Sequence, residues 1–143
     1  MKKTYSVEKS IGFIIYRTAL AMKATLQRTL KERGLAITPE QYGILHVLRE
    51  EEGLSQREIG NILFKDKPNV SRMLDALERN GLILRQPTDR RRFAIFLTPE
   101  GKTLIDEILP IGLELSEQAV KGLLVREIEA LEGMLNKIYG NIA

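Results

Sequence analysis

The sequence contains no cysteine. That excludes a disulfide framework, a thiolate-bound zinc and a cysteine redox switch, and it fits a reducing cytoplasmic setting. Its one histidine, His46, lies among Leu45, Val47 and Leu48 and reads as a packed or partly exposed helix residue rather than a base. No Ser–His–acid set and no outstanding carboxylate pair accompanies it, so neither catalysis nor a cofactor is expected. No stretch approaches the roughly 18 uninterrupted apolar residues of a membrane span. The start, Met1-Lys2-Lys3, reaches Glu8 and Lys9 before any apolar run, so a signal peptide is not expected either. Low-complexity tracts, repeats and linkers are also missing.

What is present is an ordinary globular composition: 143 residues, 43% hydrophobic and 29% charged. The net charge of +3 is small but unevenly placed. Residues 1–38 carry eight basic and two acidic side chains, and residues 65–92 carry eight and four. Residues 39–64 carry two and five, and residues 93–143 carry four and eight. A basic centre with an acidic tail predicts a local footprint for a polyanion.

Apolar periodicity predicts a helix over 7–32, through Ile11, Ile14, Ile15, Met22, Leu26 and Leu30, stopped at Gly34. Thr38-Pro39-Glu40-Gln41 is a capping box that opens a second helix. Ser55-Gln56-Arg57-Glu58 is another, opening a short third helix. Asp66 can cap a fourth, with Pro68 tolerated in its first turn and Asn80-Gly81 closing it. The period then shortens. Leu82-Ile83-Leu84 and residues 93–97 read as strands around the polar stretch 85–92, a hairpin with a basic tip. Thr98-Pro99-Glu100 starts a further helix, which Pro110 should kink or break, and a last helix covers about residues 125–140.

This order predicts a mainly α fold with a small β-hairpin wing. It is a winged helix-turn-helix (residues 35–98) between an N-terminal helix (1–34) and C-terminal helices (99–143). The flanking helices exceed what a minimal winged helix needs. Their apolar stripes, with Ile11, Ile128, Leu131, Leu135 and Ile138, are expected to pair in a dimer. A bundle within one chain is the alternative.

In such a motif the second helix enters the major groove with its N-terminal residues against base edges. Here Val70, Met73, Leu74 and Leu77 turn inward, leaving Lys67, Pro68, Asn69, Ser71 and Arg72 for DNA. Arg can grip guanine and Asn can pair with adenine, while Ser and Lys hold phosphates. Ser55 and Gln56, at the start of the preceding helix, join the expected contact set. Arg90, Arg91 and Arg92 at the hairpin tip repel one another and suit a polyanion better than a core. Asp89 is expected to orient a neighbouring arginine.

At these residues the sequence resembles the MarR family of bacterial regulators. The run from Ser71 to Arg85 resembles its recognition helix and first wing strand. Asp89-Arg90-Arg91 followed by Leu97-Thr98-Pro99-Glu100-Gly101 resembles its wing signature. Gln41-Tyr42-Gly43-Ile44-Leu45 and the segment from Leu54 to Gly60 match its preceding helices. The resemblance implies a homodimer joined through the terminal helices and a pseudo-palindromic double-stranded DNA operator, often repressed. It gives Arg72 base reading, Asn69 and Ser71 base or phosphate contacts, Arg91 the wing contact and Asp89 wing support. It also implies a small aromatic effector as a candidate partner, near Tyr16, Tyr42 and the first helix. The effector itself is not named by the sequence. Against the family pattern the wing is short between Arg85 and Asp89, and Leu124-Val125-Arg126-Glu127 lacks the usual Ser or Thr cap. One histidine and no cysteine cannot build the family's metal or peroxide sensors.

Gly101-Lys102-Thr103 looks like the end of a phosphate loop, but the required earlier glycine is Phe96. The expected function is a sequence-specific transcriptional regulator, a dimeric repressor released by a small ligand, and not an enzyme. Two alternatives stay open on the residues: an architectural DNA binder with little sequence preference, and a winged-helix protein-interaction module.

Overall fold

The computed structural model describes residues 6–89 and 91–143. Six α-helices and one hairpin follow in the order α1 (Ile11–Glu32), α2 (Pro39–Glu50), α3 (Gln56–Leu63), α4 (Lys67–Arg79), β1 (Ile83–Pro87), β2 (Phe93–Leu97), α5 (Pro99–Ala119) and α6 (Val125–Ile142). This is the mainly helical winged helix-turn-helix that the periodicity predicts.

The caps decide the boundaries. Thr38 and Gln41 close a reciprocal box on α2, as do Ser55 and Glu58 on α3. Asp66 Oδ1 accepts from the Asn69 N–H at 2.9 Å and opens α4. At α6, Glu127 supplies half a box by accepting from the Leu124 N–H at 2.8 Å. The first helix starts later than its periodicity suggests. A single 3₁₀ turn, Val7–Lys9, precedes it, and Ser10 takes the cap by accepting from the Phe13 N–H. An extended serine that can satisfy an orphan amide wins over apolar spacing.

Two further differences concern proline. Pro110 does not break α5, which runs on to Ala119. Ile108 and Ile111 on either side of it are buried, so packing holds the helix across the missing N–H. Strand β1 extends beyond Leu84 to Pro87, which pairs with Phe93. Proline is tolerated at such a strand end, where no ladder donor is required. Thr88 closes the hairpin, donating to the Arg92 carbonyl from both its N–H (2.8 Å) and its hydroxyl (3.0 Å).

One core joins these elements. Leu30 (α1), Leu45 (α2), Ile59 (α3), Leu74 (α4), Ile95 (β2) and Ile105 (α5) are all fully or almost fully buried in it. The wing is anchored from below by a single bridge between Leu54 and Ile95. At the start of α5, Thr98 donates its hydroxyl to the Gly81 carbonyl at 2.6 Å and accepts from the Gly101 N–H at 3.0 Å. Gly101 packs so closely that an added Cβ would fall on the Leu82 carbonyl oxygen. Its place in the resembled phosphate loop is thus a packing requirement. Helix α6 contributes no buried residue.

Candidate nucleic-acid interface

Helix α4 divides at three- and four-residue spacing. Val70, Leu74 and Leu77 are buried, while Lys67, Pro68 and Arg72 are exposed and Asn69 and Ser71 half-buried. Its first turn is braced by α3, where Gln56 Nε2 donates to the Lys67 carbonyl at 3.4 Å. Ser55 is similarly committed, since its hydroxyl accepts from the Glu58 N–H at 3.2 Å. Both lie beside the expected contact surface but serve the scaffold first. Asn69 Oδ1 accepts a hydrogen bond from Arg72 Nη2.

The wing is tied to α4 by Arg85. Its Nη2 donates to Asp75 Oδ1 at 2.7 Å, and its Nε lies 3.8 Å from Glu78 Oε2. That Nε is buried without a hydrogen-bond partner. At the tip, Arg91 takes a left-handed backbone (φ 57°), unusual for a residue other than glycine. Arg91 and Arg92 are exposed. Asp89 is exposed in the turn, and among the described residues no ion pair holds it. Arg90 lies outside the described residues.

Wing and helix-turn-helix enclose a cleft of about 650 Å³. It brings together Ser55, Gln56, Lys67, Arg91 and Arg92, five of the expected contacts. It also contains Arg57 and Lys65, which sequence reasoning missed. Arg57 was hidden inside a capping box and Lys65 inside a turn, although the charge of both was visible. Asn69 and Arg72 sit apart from this cleft, in a depression of about 410 Å³ that Lys65 also lines. Two cationic surfaces therefore adjoin at Lys65.

The expected dimer residues of α6 share an apolar face at helical spacing, and Ile11 lies at the start of α1. Ile11 is 65% exposed, Leu131 and Leu135 about 40%, and Ile128 and Ile138 are half-buried. Met134 and Ile142 extend this face. Tyr139 of α6 meets Phe64, the residue ending α3, edge to face at 5.6 Å between ring centroids. A second cavity, of about 530 Å³, opens between α1, α2 and α5. Tyr42, Met22, Leu26 and Leu115 line it, and Tyr16 does not. Burial pushes the Tyr42 phenol above its ordinary pKa, so it is neutral at physiological pH. Beside this cavity Lys23 pairs with Glu40, joining α1 to α2. His46 stacks obliquely on Tyr42 and lies 3.4 Å from Glu50. Among the described residues no group of three or more His, Asp or Glu is placed to hold a metal ion. Among the described residues no helix is long and apolar enough to cross a membrane.

A family model for the MarR family matches residues 37–92. Over 137 residues the chain is 31% identical to the HTH-type transcriptional regulator YkoM of Bacillus subtilis, spanning 92% of this chain and 86% of that protein. This chain belongs to the MarR family. It is a DNA-binding transcriptional regulator of that family, and its relatives are regulators rather than enzymes. It is also 29% identical over 136 residues to a transcriptional regulatory protein assigned to the hcr operon of Thauera aromatica, spanning 94% of this chain and 81% of that one. Among solved structures, MepR of S. aureus in its DNA complex matches with a TM-score of 0.86 at 28% identity, over 96% of this chain and all of that one. The MarR match begins at Ile37 and ends at Arg92, so it holds α2 to α4 and the wing as far as its arginines.

Proposed function

We propose that this MarR-family chain acts as a homodimeric repressor of a pseudo-palindromic operator and works in the cytoplasm. Residues 35–98 form the DNA-binding lobe, and residues 1–34 and 99–143 join the two copies. The observation that carries this reading is the pairing of surfaces around α4. Arg72 is exposed on one helix with Asn69 and Ser71 half-buried beside it, and the wing arginines border the neighbouring cleft. Two such lobes set roughly 34 Å apart reach successive major grooves. Arg72 reads bases, while Arg91 and Arg92, with Arg57 and Lys67, hold the backbone. The cavity at Tyr42 takes a small aromatic effector. By preferring one spacing of the lobes, that effector releases the operator.

The test is fluorescence anisotropy on two duplexes at two salt concentrations. One is the duplex that the parent protein selects from a random library, and the other is scrambled. The selected duplex is expected to bind at least ~1000-fold tighter. Arg72→Ala should cost about 1–3 kcal/mol, mainly on that duplex. Equal binding to both, collapsing with salt, would establish an architectural binder instead.

A further inference from the structure

We propose that Asn69 is a positioning residue: it holds Arg72 for base reading and does not itself read a base. This role rests on α4 entering the major groove, as proposed above. Asn69 stands in the first turn of α4, where its backbone N–H is fixed by Asp66 Oδ1 at 2.9 Å, and its side chain is half-buried. Arg72 stands one turn further on, exposed, and its Nη2 donates to Asn69 Oδ1. Among the described residues no ion pair engages Arg72.

The chemistry separates the two roles. Bidentate recognition of adenine needs the asparagine oxygen to accept from N6 and its amide nitrogen to donate to N7. Here Arg72 already takes one of that oxygen's two lone pairs and constrains the amide, so the two-point pairing with adenine is disfavoured while the contact lasts. The arginine loses little by it. A guanidinium has five N–H donors, and giving up one leaves enough for the O6 and N7 of guanine. A free arginine also has considerable rotamer entropy to lose on docking. An acceptor one turn away on the same helix removes part of that loss before DNA arrives, and the charge on arginine strengthens the bond. Residues three apart on a helix are surface neighbours, so the pair needs no help from the rest of the fold.

The experiment uses the duplex selected by the parent protein and a set with each base pair of one half-site changed in turn. Binding is measured for the parent, Asn69→Ala, Asn69→Asp, Arg72→Ala and the Asn69→Ala/Arg72→Ala double variant. Asn69→Ala is expected to lose discrimination at the same base pair as Arg72→Ala, by on the order of tenfold. The double variant should discriminate no worse than Arg72→Ala alone. Asn69→Asp, which keeps the acceptor, should keep the base-pair profile even where its charge lowers affinity. Thermal melts of Asn69→Ala should match the parent, because the Asp66 cap is made to the backbone. Loss at a different base pair, adding to the Arg72→Ala loss, would overturn the proposal and make Asn69 a reader. Uniform weakening or no change would overturn it too. If Arg72→Ala leaves the whole profile unchanged, base reading by Arg72 falls and the positioning role falls with it. Failure of the parent to select any duplex would instead count against the regulator reading itself.

Discussion

Residues of one chemical type play unlike parts here, because neighbours that the local sequence does not reveal decide each part. Arg85 is spent on the fold, held by Asp75 and Glu78, while Arg91 stands exposed on a left-handed backbone. Such a backbone costs about 1–2 kcal/mol for a residue with a Cβ. Outliers of this kind gather at functional sites. From spacing alone the exposed side of α4 was legible, since Val70, Leu74 and Leu77 leave only one way for Arg72 to point. The bond between Asn69 and Arg72 was not, because periodicity assigns faces and not partners. Gly34 and Gly81 were legible as helix stops, but Gly101 was not. Gly101 looked like a relic of a phosphate loop, yet the Leu82 carbonyl that forbids a Cβ there belongs to the turn after α4. Gly101→Ala must therefore push the start of α5 off that turn. It is expected to lower stability by about 1–3 kcal/mol, the usual cost of overpacking. Chemical denaturation of Gly101→Ala against a control Gly133→Ala measures this, since nothing lies near an added Cβ at Gly133. Equal midpoints would show that the turn yields freely.

At the scale of elements, starts were easier to read than ends. Thr38, Ser55, Asp66 and Thr98 each cap the helix that their sequence position announces. Caps are local chemistry, visible within four residues. Pro110 was misleading because the buried isoleucines around it keep α5 whole, and burial is a tertiary fact. The reach of β1 to Pro87 depended likewise on pairing with Phe93. The most consequential element contact is the tie between wing and recognition helix. Asp75 receives Arg85 at 2.7 Å, and only a fifth of the Arg85 side chain is exposed. Asp75→Asn weakens that tie and leaves a cation with a buried, unpartnered Nε. The expected outcome is faster amide exchange in β1 and β2, with α2 and α5 unaffected. Stability should fall by roughly 1 kcal/mol, since Asp75 is itself more than half exposed. Hydrogen exchange followed by mass spectrometry reads the difference. Exchange rates unchanged in the wing would show that the buried Ile83, Ile95 and Leu97, with the Leu54–Ile95 bridge, suffice to position it.

At the scale of the whole molecule, two features of the terminal helices lead to predictions. One is Lys23–Glu40, between α1 and α2. Burial opposes ionisation of Glu40, but hydrogen bonds from Lys23 and the backbone, with the nearby Lys65 charge, outweigh it and lower its pKa. A lowered folded-state value means that stability is present above the ordinary carboxylate pKa of about 4.3. That stability is lost as pH falls through the lowered value. Glu40→Gln should accordingly lose less melting temperature than the parent between pH 7 and pH 3. Parallel curves would show that the pair adds nothing. The other is the apolar face of α6. An 18-residue helix without one buried residue, carrying Leu131, Leu135 and Met134 at helical spacing, gains little from its own chain beyond the Tyr139–Phe64 contact and the half-buried Ile128 and Ile138. Covering that face removes apolar surface from water, and the proposed partner is a second copy. Leu131→Glu with Leu135→Glu would place charge in the middle of such an interface, whereas Glu129→Gln changes charge at an exposed position of the same helix. Sedimentation should find the double variant monomeric and Glu129→Gln dimeric. The loss of DNA affinity separates dimerisation from local damage. A monomer that keeps an intact winged lobe must bind one half-site of the selected duplex as well as the parent's single lobe does, yet forfeit the gain from engaging two sites at once. Affinity for the full site should then drop by at least ~100-fold, while affinity for an isolated half-site stays within a few-fold. A parent that sediments as a monomer, or a double variant that still binds the full site tightly, would remove α6 from the interface.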